Sequence, residues 1–245
     1  MTDLPPAVLV FFYALATALA TGLGAIPFLF VRKLSGAAIA YANAIASGLM
    51  LGASFGLVAE GTQYGGLQTV IGGGVGVGFI LATHRVLGHY DVSFGVARGA
   101  GARKVLLMLV VMTAHSFSEG VAVGVAFGGG MTLATAITLA IAVHNIPEGL
   151  AISAVIRSRG GSVASGAMWS VVSSLPQPLM AVPAFLFVEA FRSALPYGVG
   201  FAAGAMVFMV LVELLPEAYE DASRPVVALL VSATLVGMVL FQQAL

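Results

Sequence analysis

Long apolar runs separated by short polar connections dominate the chain. Each run lasts about 20 residues without strict alternation of apolar and polar positions, which is typical of membrane-spanning helices and not of barrel strands. The pattern predicts a single all-α integral membrane domain over residues 1–245. Its eight transmembrane helices are expected near 7–31, 36–59, 64–86, 104–128, 131–156, 162–189, 192–219 and 224–243.

Basic residues concentrate in the connections that share one side of an eight-span bundle. Nine of the ten lie there, such as Arg32 and Lys33 between the first two spans, whereas Arg192 falls on the other side. Because cytoplasmic loops are enriched in Lys and Arg, both termini are predicted to be extracytoplasmic. The predicted location is the cell membrane, inner or plasma, which the chain crosses several times.

Composition adds constraints on partners and chemistry. Charged residues make up 8% of the chain and the mean hydropathy is +1.05, whereas a soluble domain carries about 25% charged residues. The formal net charge is zero, so nothing points to nucleic acid as a partner. The chain has no cysteine, which excludes disulfides, thiolate metal sites and iron–sulfur clusters. Metal ligands would therefore be His, carboxylate, amide, hydroxyl or Met side chains.

Two segments in the middle of the fourth and fifth spans carry the same pattern. His115 to Gly120 and His144 to Gly149 both read His-x-x-x-Glu-Gly and lie 29 residues apart. Residues four apart share a helix face, so His115 stands over Glu119 and His144 over Glu148. Two such helices side by side would offer two imidazoles and two carboxylates to one point, a set that suits zinc.

The membrane position of these four side chains strengthens the metal interpretation. An ionisable residue at the bilayer centre costs roughly 2.5–3.5 kcal/mol, so two Glu and two His at one depth need a compensating partner. A divalent cation would supply it. The alternative is that His and Glu pair with each other inside the bundle, and the repetition of the pattern makes that alternative the weaker one.

Prolines beside the polar segments predict interrupted helices. Pro147 has no N–H, so the carbonyl of Val143 loses its helical partner and could serve as a further oxygen ligand. In the sixth span Pro176 and Pro178 flank Gln177, which offers a neutral oxygen. The alternative for both spans is a purely structural kink.

Several features on the second and seventh spans remain ambiguous. Met50 could be a soft thioether ligand or a packing residue. Glu213 and Glu217 could receive released metal or form a solvated helix end. A faint likeness of the second and seventh spans, around Met50 and Met206, could mark an inverted repeat or arise by chance.

Three segments together resemble a known family. They are HNIPEGLA at 144–151, HSFSEGVAVGVAF at 115–127 and FAAGAMVFMVLVELLPEA at 201–218. The sequence resembles the ZIP (Zrt/Irt-like) metal transporters, especially their compact prokaryotic branch. The resemblance implies a metal path between helices 2, 4, 5 and 7 and a two-metal centre. One site would use Met50, His115, Glu119, His144 and Glu148, and the adjoining site Ser116, Glu119, Asn145, Glu148 and Gln177.

The chain departs from the family pattern in the second of these sites. Ser116 and Ser118 stand where the family usually has Asn and Pro, and Gln177 stands where compact members often have Glu. Asn145 stands where some members have Asp. Neutral oxygens supply no opposing charge to a dication. The hypothesis is therefore that the first site binds tightly and the second binds weakly or transiently.

The predicted function is transport of a divalent transition metal, most simply zinc uptake toward the cytoplasm, by one helix bundle moving against another. Fe²⁺, Mn²⁺, Co²⁺ and Cd²⁺ stay open as substrates, since imidazole and carboxylate do not separate these ions sharply. Two alternatives are an intramembrane metallohydrolase, which would make the chain an enzyme, and a metal-sensing scaffold that does not transport. The sequence does not reveal the oligomeric state, and a homodimer stays open.

Overall fold

The computed structural model describes residues 5–87 and 102–244, and these residues contain helices and short connections without any strand. Nine α-helices are described: α1 (Pro6–Leu23), α2 (Gly36–Leu87), α3 (Ala102–Gly129), α4 (Met131–Ser158), α5 (Val163–Ser174), α6 (Pro176–Ala190), α7 (Leu195–Met209), α8 (Leu215–Asp221) and α9 (Arg224–Ala244). Short 3₁₀ turns cover Ile26–Leu29 and Arg192–Ala194, and a π-helical turn, Val210–Leu214, joins α7 to α8.

The prediction of an all-α membrane bundle is confirmed. Six helical stretches in the described part of the chain are long and apolar enough to cross a membrane. One of them, Gly36–Thr83, is 48 residues long, and α2 is interrupted at Gly65, where the backbone is extended (φ 165°, ψ 103°). That break falls at the second residue of the predicted third span, 64–86. The count of eight spans stays a prediction.

The helices form two units. The first helix unit contains α1, α3, α4, α5 and α6, in which α3 packs mainly on α6 and α1 packs on both α4 and α6. The second helix unit contains α2, α7, α8 and α9, in which α2 packs extensively on α7 and α9. The two units meet chiefly where α2 contacts α4 and where α3 contacts α7.

Close helix contacts within each unit depend on glycine. A methyl group at Gly149 of α4 would lie 1.7 Å from the backbone oxygen of Thr21 of α1. In the second unit, a methyl group at Gly76 of α2 would lie 2.1 Å from the backbone oxygen of Phe201 of α7. Small residues that let backbones touch are the usual basis of helix association in membranes. Each unit is therefore held by backbone-to-backbone contacts.

The prolines act differently in the two spans where they were expected to interrupt a helix. The helix of the sixth span ends at Ser174 and begins again at Pro176, so this span consists of α5 and α6. By contrast, α4 continues through Pro147 as one helix. The π-helical turn before α8 was not expected from the sequence, and it contains Glu213. Such turns occur frequently at functional sites.

Candidate metal centre

Three of the predicted ligands meet in the first helix unit. Glu119 comes from α3, and His144 and Glu148 come from α4. Nε2 of His144 lies 3.2 Å from Oε1 of Glu119 and 3.1 Å from Oε1 of Glu148. One ligand atom from each residue lies within 4.8 Å of the others. The predicted meeting of the two His-x-x-x-Glu faces is therefore observed for these three side chains.

The local structure explains this convergence. His144 and Glu148 are one helical turn apart on α4, so they face the same way. Gly120 follows Glu119, and a methyl group there would lie 2.5 Å from the backbone oxygen of Gln177. Glycine thus lets α3 approach α6 closely beside the cluster. All three of these predicted ligand side chains are buried.

His115 is directed toward the second helix unit and does not complete this trio. Its Nε2 lies 3.1 Å from Oε2 of Glu213, in the π-helical turn. Glu213 is only 9% exposed, so it is not part of a solvated helix end. Glu213 was noted from the sequence as an acidic residue, but nothing in the sequence indicated its contact with His115. The two residues are 98 positions apart and belong to different helix units.

A narrow crevice of about 20 Å³ connects His115 with the trio. His115 and Glu148 both line it, together with Asn43, Glu213 and Glu217. Nδ2 of Asn43 donates to Oε2 of Glu217 at 3.2 Å. The crevice therefore brings two carboxylates of the second unit beside His115 and Glu148.

The residues expected at the second metal site form a hydrogen-bonded chain. Nδ2 of Asn145 donates to the backbone oxygen of Thr17 at 2.7 Å and to Oε1 of Gln177 at 3.1 Å. Nε2 of Gln177 in turn donates to Oε2 of Glu119 at 2.6 Å. Thr17 was not singled out from the sequence. The sequence feature that could have indicated it is the pair of hydroxyl residues Thr17 and Thr21, which lie four positions apart and so share one face of an otherwise apolar span. Both are buried in the structure.

Two further predicted ligands are buried, and among the described residues no hydrogen bond joins either of them to the trio. Ser116 is 1% exposed, and its hydroxyl has no hydrogen-bond partner among the described residues. Met50 is also 1% exposed and belongs to the main apolar cluster, which includes Met206 and Met209. Packing accounts for Met50 in this conformation, and its role as a thioether ligand stays a prediction.

The trio has the chemistry of a divalent-cation site. Two carboxylates and one imidazole provide hard oxygen and borderline nitrogen donors, the combination found at zinc sites. A buried cluster with two carboxylates also needs positive charge, because an uncompensated buried charge is strongly destabilising. A bound dication would balance two ionised carboxylates.

Comparisons with known proteins agree with this chemistry. The family model described as ZIP Zinc transporter matches residues 94–242. A putative zinc transporter of Arabidopsis thaliana is 48% identical over 220 residues, which are 88% of this chain and 35% of the plant protein. Zinc transporter GufA of Myxococcus xanthus is 31% identical over 215 residues, 82% of this chain and 85% of that protein.

A shorter match covers about half of each chain. Zinc transporter ZupT of Corynebacterium aurimucosum is 38% identical over 125 residues, 48% of this chain and 47% of that protein. The chain thus spans about a third of the plant relative and about half of this ZupT, whereas it covers most of GufA.

Proposed function

Because the chain belongs to the ZIP zinc transporter family, we propose that it moves divalent zinc across a membrane through the trio of Glu119, His144 and Glu148. The observation that carries this proposal is the buried convergence of one imidazole and two carboxylates in the middle of α3 and α4. The family is one of transporters, so the metallohydrolase alternative is set aside.

A second cavity supports a path that runs from the opposite end of the bundle. It has a volume of about 440 Å³ and is lined by Glu60 and Gln63 of α2, by the segment 129–133 and by Gln242 of α9. Along α4, Ile137 and Ile141 follow this cavity and precede His144, and both are 0% exposed. Apolar side chains thus separate the cavity from the trio along this helix, whereas the crevice on the other side reaches Glu148.

The placement of the ligands suggests how the ion moves. Glu119, His144 and Glu148 all belong to the first helix unit, while Glu213 and Glu217 belong to the second. A displacement of the first unit against the second would open the intact trio to the large cavity in one state and to the crevice in the other. Alternating access of this kind moves one rigid bundle past another around a fixed site.

Several finer features are included as proposals. Flux runs toward the cytoplasm, and both termini are extracytoplasmic because the basic connections face the cytoplasm. The carrier resides in the cell membrane, and Fe²⁺, Mn²⁺, Co²⁺ and Cd²⁺ are candidate further substrates. Met50 and His115 add ligands during the transport cycle. A homodimer stays open.

Zinc uptake by proteoliposomes containing the purified protein tests the function. A zinc-sensitive dye inside the vesicles should respond to external zinc faster than in protein-free vesicles. Zinc binding without uptake would instead support the metal-sensing scaffold. Absence of both binding and uptake, in protein that elutes as a single folded species, would contradict the proposal.

Replacing Glu213 with Gln is expected to slow zinc release without emptying the trio. The carboxylate lies 3.1 Å from Nε2 of His115 across the boundary between the units, and removing one partner of a buried polar contact costs about 1–3 kcal/mol, and more where a charge is involved. The maximal uptake rate should therefore fall roughly tenfold or more, with zinc affinity within about threefold of the unmodified protein. The measurement is uptake rate and equilibrium zinc binding on the same preparation.

The matched control is Glu220→Gln, an exposed carboxylate on α8. It should leave both quantities unchanged. An equal loss of rate in Glu220→Gln and Glu213→Gln would show that overall charge, and not the contact with His115, controls the rate.

A further inference from the structure

The chain of hydrogen bonds beside the trio has a fixed direction. It begins at the backbone oxygen of Thr17, which receives a hydrogen bond from Nδ2 of Asn145 at 2.7 Å. A carbonyl oxygen can accept but cannot donate. Both residues are 0% exposed, so the amide nitrogen of Asn145, and not its oxygen, must face Thr17.

The orientation of the Asn145 amide determines that of the Gln177 amide. The second N–H of Asn145 donates to Oε1 of Gln177 at 3.1 Å, which turns the nitrogen of Gln177 toward Glu119, where it donates to Oε2 at 2.6 Å. Rotating the Gln177 amide by half a turn would oppose two donors at Asn145 and two acceptors at Glu119. Buried polar groups left in that state are costly.

The hydroxyl of Thr17 reinforces the same orientation. Its Oγ1 lies 2.5 Å from Oε1 of Gln177 and 2.7 Å from the backbone oxygen of Ala14. The hydroxyl has one hydrogen for these two acceptors, and donation to Gln177 is the arrangement that keeps two acceptor oxygens from facing each other at 2.5 Å. Oε1 of Gln177 thereby accepts two hydrogen bonds, and its lone pairs are used inside the protein.

The position beside Glu119 is thus lined by a donor. A cation placed there would meet the N–H hydrogens of Gln177, while the carboxamide oxygen is already engaged by Thr17 and Asn145. Oε2 of Glu119 is held by Gln177, and Oε1 of Glu119 faces His144. The carboxylate is therefore aimed at the trio and away from a second ion.

We infer that Thr17, Asn145 and Gln177 are positioning residues that hold Glu119 for a single zinc ion, so that the centre binds one ion per chain. The inference rests on the proposed function for the identity of the ion. It gives Asn145 and Gln177 a role different from the ligand role that the family resemblance implies. Hydrogen-bond partners of metal ligands affect metal affinity by about 10–100-fold. Disrupting the hydrogen bonds among Thr17, Asn145 and Gln177 should therefore change the measured zinc affinity.

Counting bound zinc tests the inference directly. Purified protein in detergent is dialysed against zinc chloride, and zinc per chain is measured by elemental analysis. The unmodified protein should bind one equivalent, and Gln177→Glu should bind two, because a carboxylate replaces the donor with charge and free acceptor oxygens. Two equivalents of similar affinity in the unmodified protein would overturn the inference, as would one equivalent in a folded Gln177→Glu variant.

The count is independent of transport. Protein that binds one equivalent but shows no uptake would contradict the proposed function and leave the single-ion inference standing. Protein that transports zinc but binds two equivalents would support the proposed function and contradict the single-ion inference.

A pair of substitutions on α1 tests the positioning role without changing charge. Thr17→Val removes the hydroxyl that donates to Gln177 and should raise the dissociation constant for zinc about two- to tenfold. Thr21→Val is the matched control, since Thr21 is equally buried and its hydroxyl contacts Ser174 at 2.8 Å. Thr21→Val should leave the zinc affinity unchanged. Thr17→Ser keeps a hydroxyl at position 17 and should bind zinc with the affinity of the unmodified protein.

The alternatives give different results in this pair. Equal weakening by Thr17→Val and Thr21→Val would show a general loosening of α1 and overturn the positioning role. Unchanged affinity in folded Thr17→Val would also overturn it, because the hydroxyl would then have no influence on the carboxylate.

Discussion

Zinc uptake into proteoliposomes is expected to fall at least about 100-fold when His144 and Glu148 are both replaced by alanine. The double variant removes the imidazole and one of the two carboxylates that converge within 4.8 Å. Each lost interaction with a charged group costs about 1.5–3 kcal/mol, so two losses correspond to roughly 3–6 kcal/mol, or at least two orders of magnitude. Initial uptake rates at several zinc concentrations provide the measurement.

Two further variants make this result specific. Glu148→Gln keeps the shape of the side chain and should still lose most of the activity. This variant separates the effect of the lost charge from the effect of the space that alanine would leave. Glu189→Gln alters an exposed carboxylate that pairs with Arg192 outside the centre, and it should transport normally. Full activity of folded His144→Ala/Glu148→Ala would remove the basis for this site.

Gly149→Ala is expected to lower stability more than any exposed substitution in the chain. The added methyl group would lie 1.7 Å from the backbone oxygen of Thr21 and 2.7 Å from its carbonyl carbon. Neither atom can move without shifting α1, so α1 and α4 must separate. Overpacking typically costs 1–3 kcal/mol, and contact with backbone places this variant at about 3 kcal/mol or more. Thermal unfolding in detergent should show a clearly lower midpoint.

Gly237→Ala is the matched control for this effect. It makes the same chemical change in α9, where a methyl group would meet nothing within 4 Å. Because alanine is the better helix former, its unfolding temperature should be equal or slightly higher. A similar loss of stability in both variants would contradict the importance of the contact between α1 and α4.

The sequence predicted the parts of the site that depend on local spacing. His144 and Glu148 face the same way because they are one helical turn apart, and that relation needs no knowledge of the fold. The repeated pattern at His115 and Glu119 predicted that a second helix would face the first. Among these four residues, Glu119, His144 and Glu148 meet as expected.

The remaining contacts could not be predicted because they depend on tertiary structure. His115 turns to Glu213, whose position depends on the π-helical turn, and no propensity in the sequence indicated that turn. The orientation of Gln177 depends on Thr17, which is 160 residues away along the chain. A sequence shows that Gln177 has both a donor and an acceptor, but only its neighbours decide which one faces the carboxylate.

The fold was predictable to a similar extent. Apolar runs located the helices because lipid requires every backbone group to be satisfied within the segment. The division into two units was not visible, since it depends on which glycines meet a neighbouring backbone, and the chain has 31 of them. Gly149 and Gly237 look alike in sequence, yet one is pressed against Thr21 and the other is open.

The confinement of the trio to one helix unit has a thermodynamic consequence. If Glu119, His144 and Glu148 travel together, the intrinsic affinity for zinc is the same at both membrane faces, apart from the influence of Glu213 and Glu217. A carrier that moves zinc alone cannot accumulate it against a gradient, whatever its affinity at each face. Net flux would then reverse with the free-zinc gradient, and the cell would set the direction by how strongly it buffers the metal.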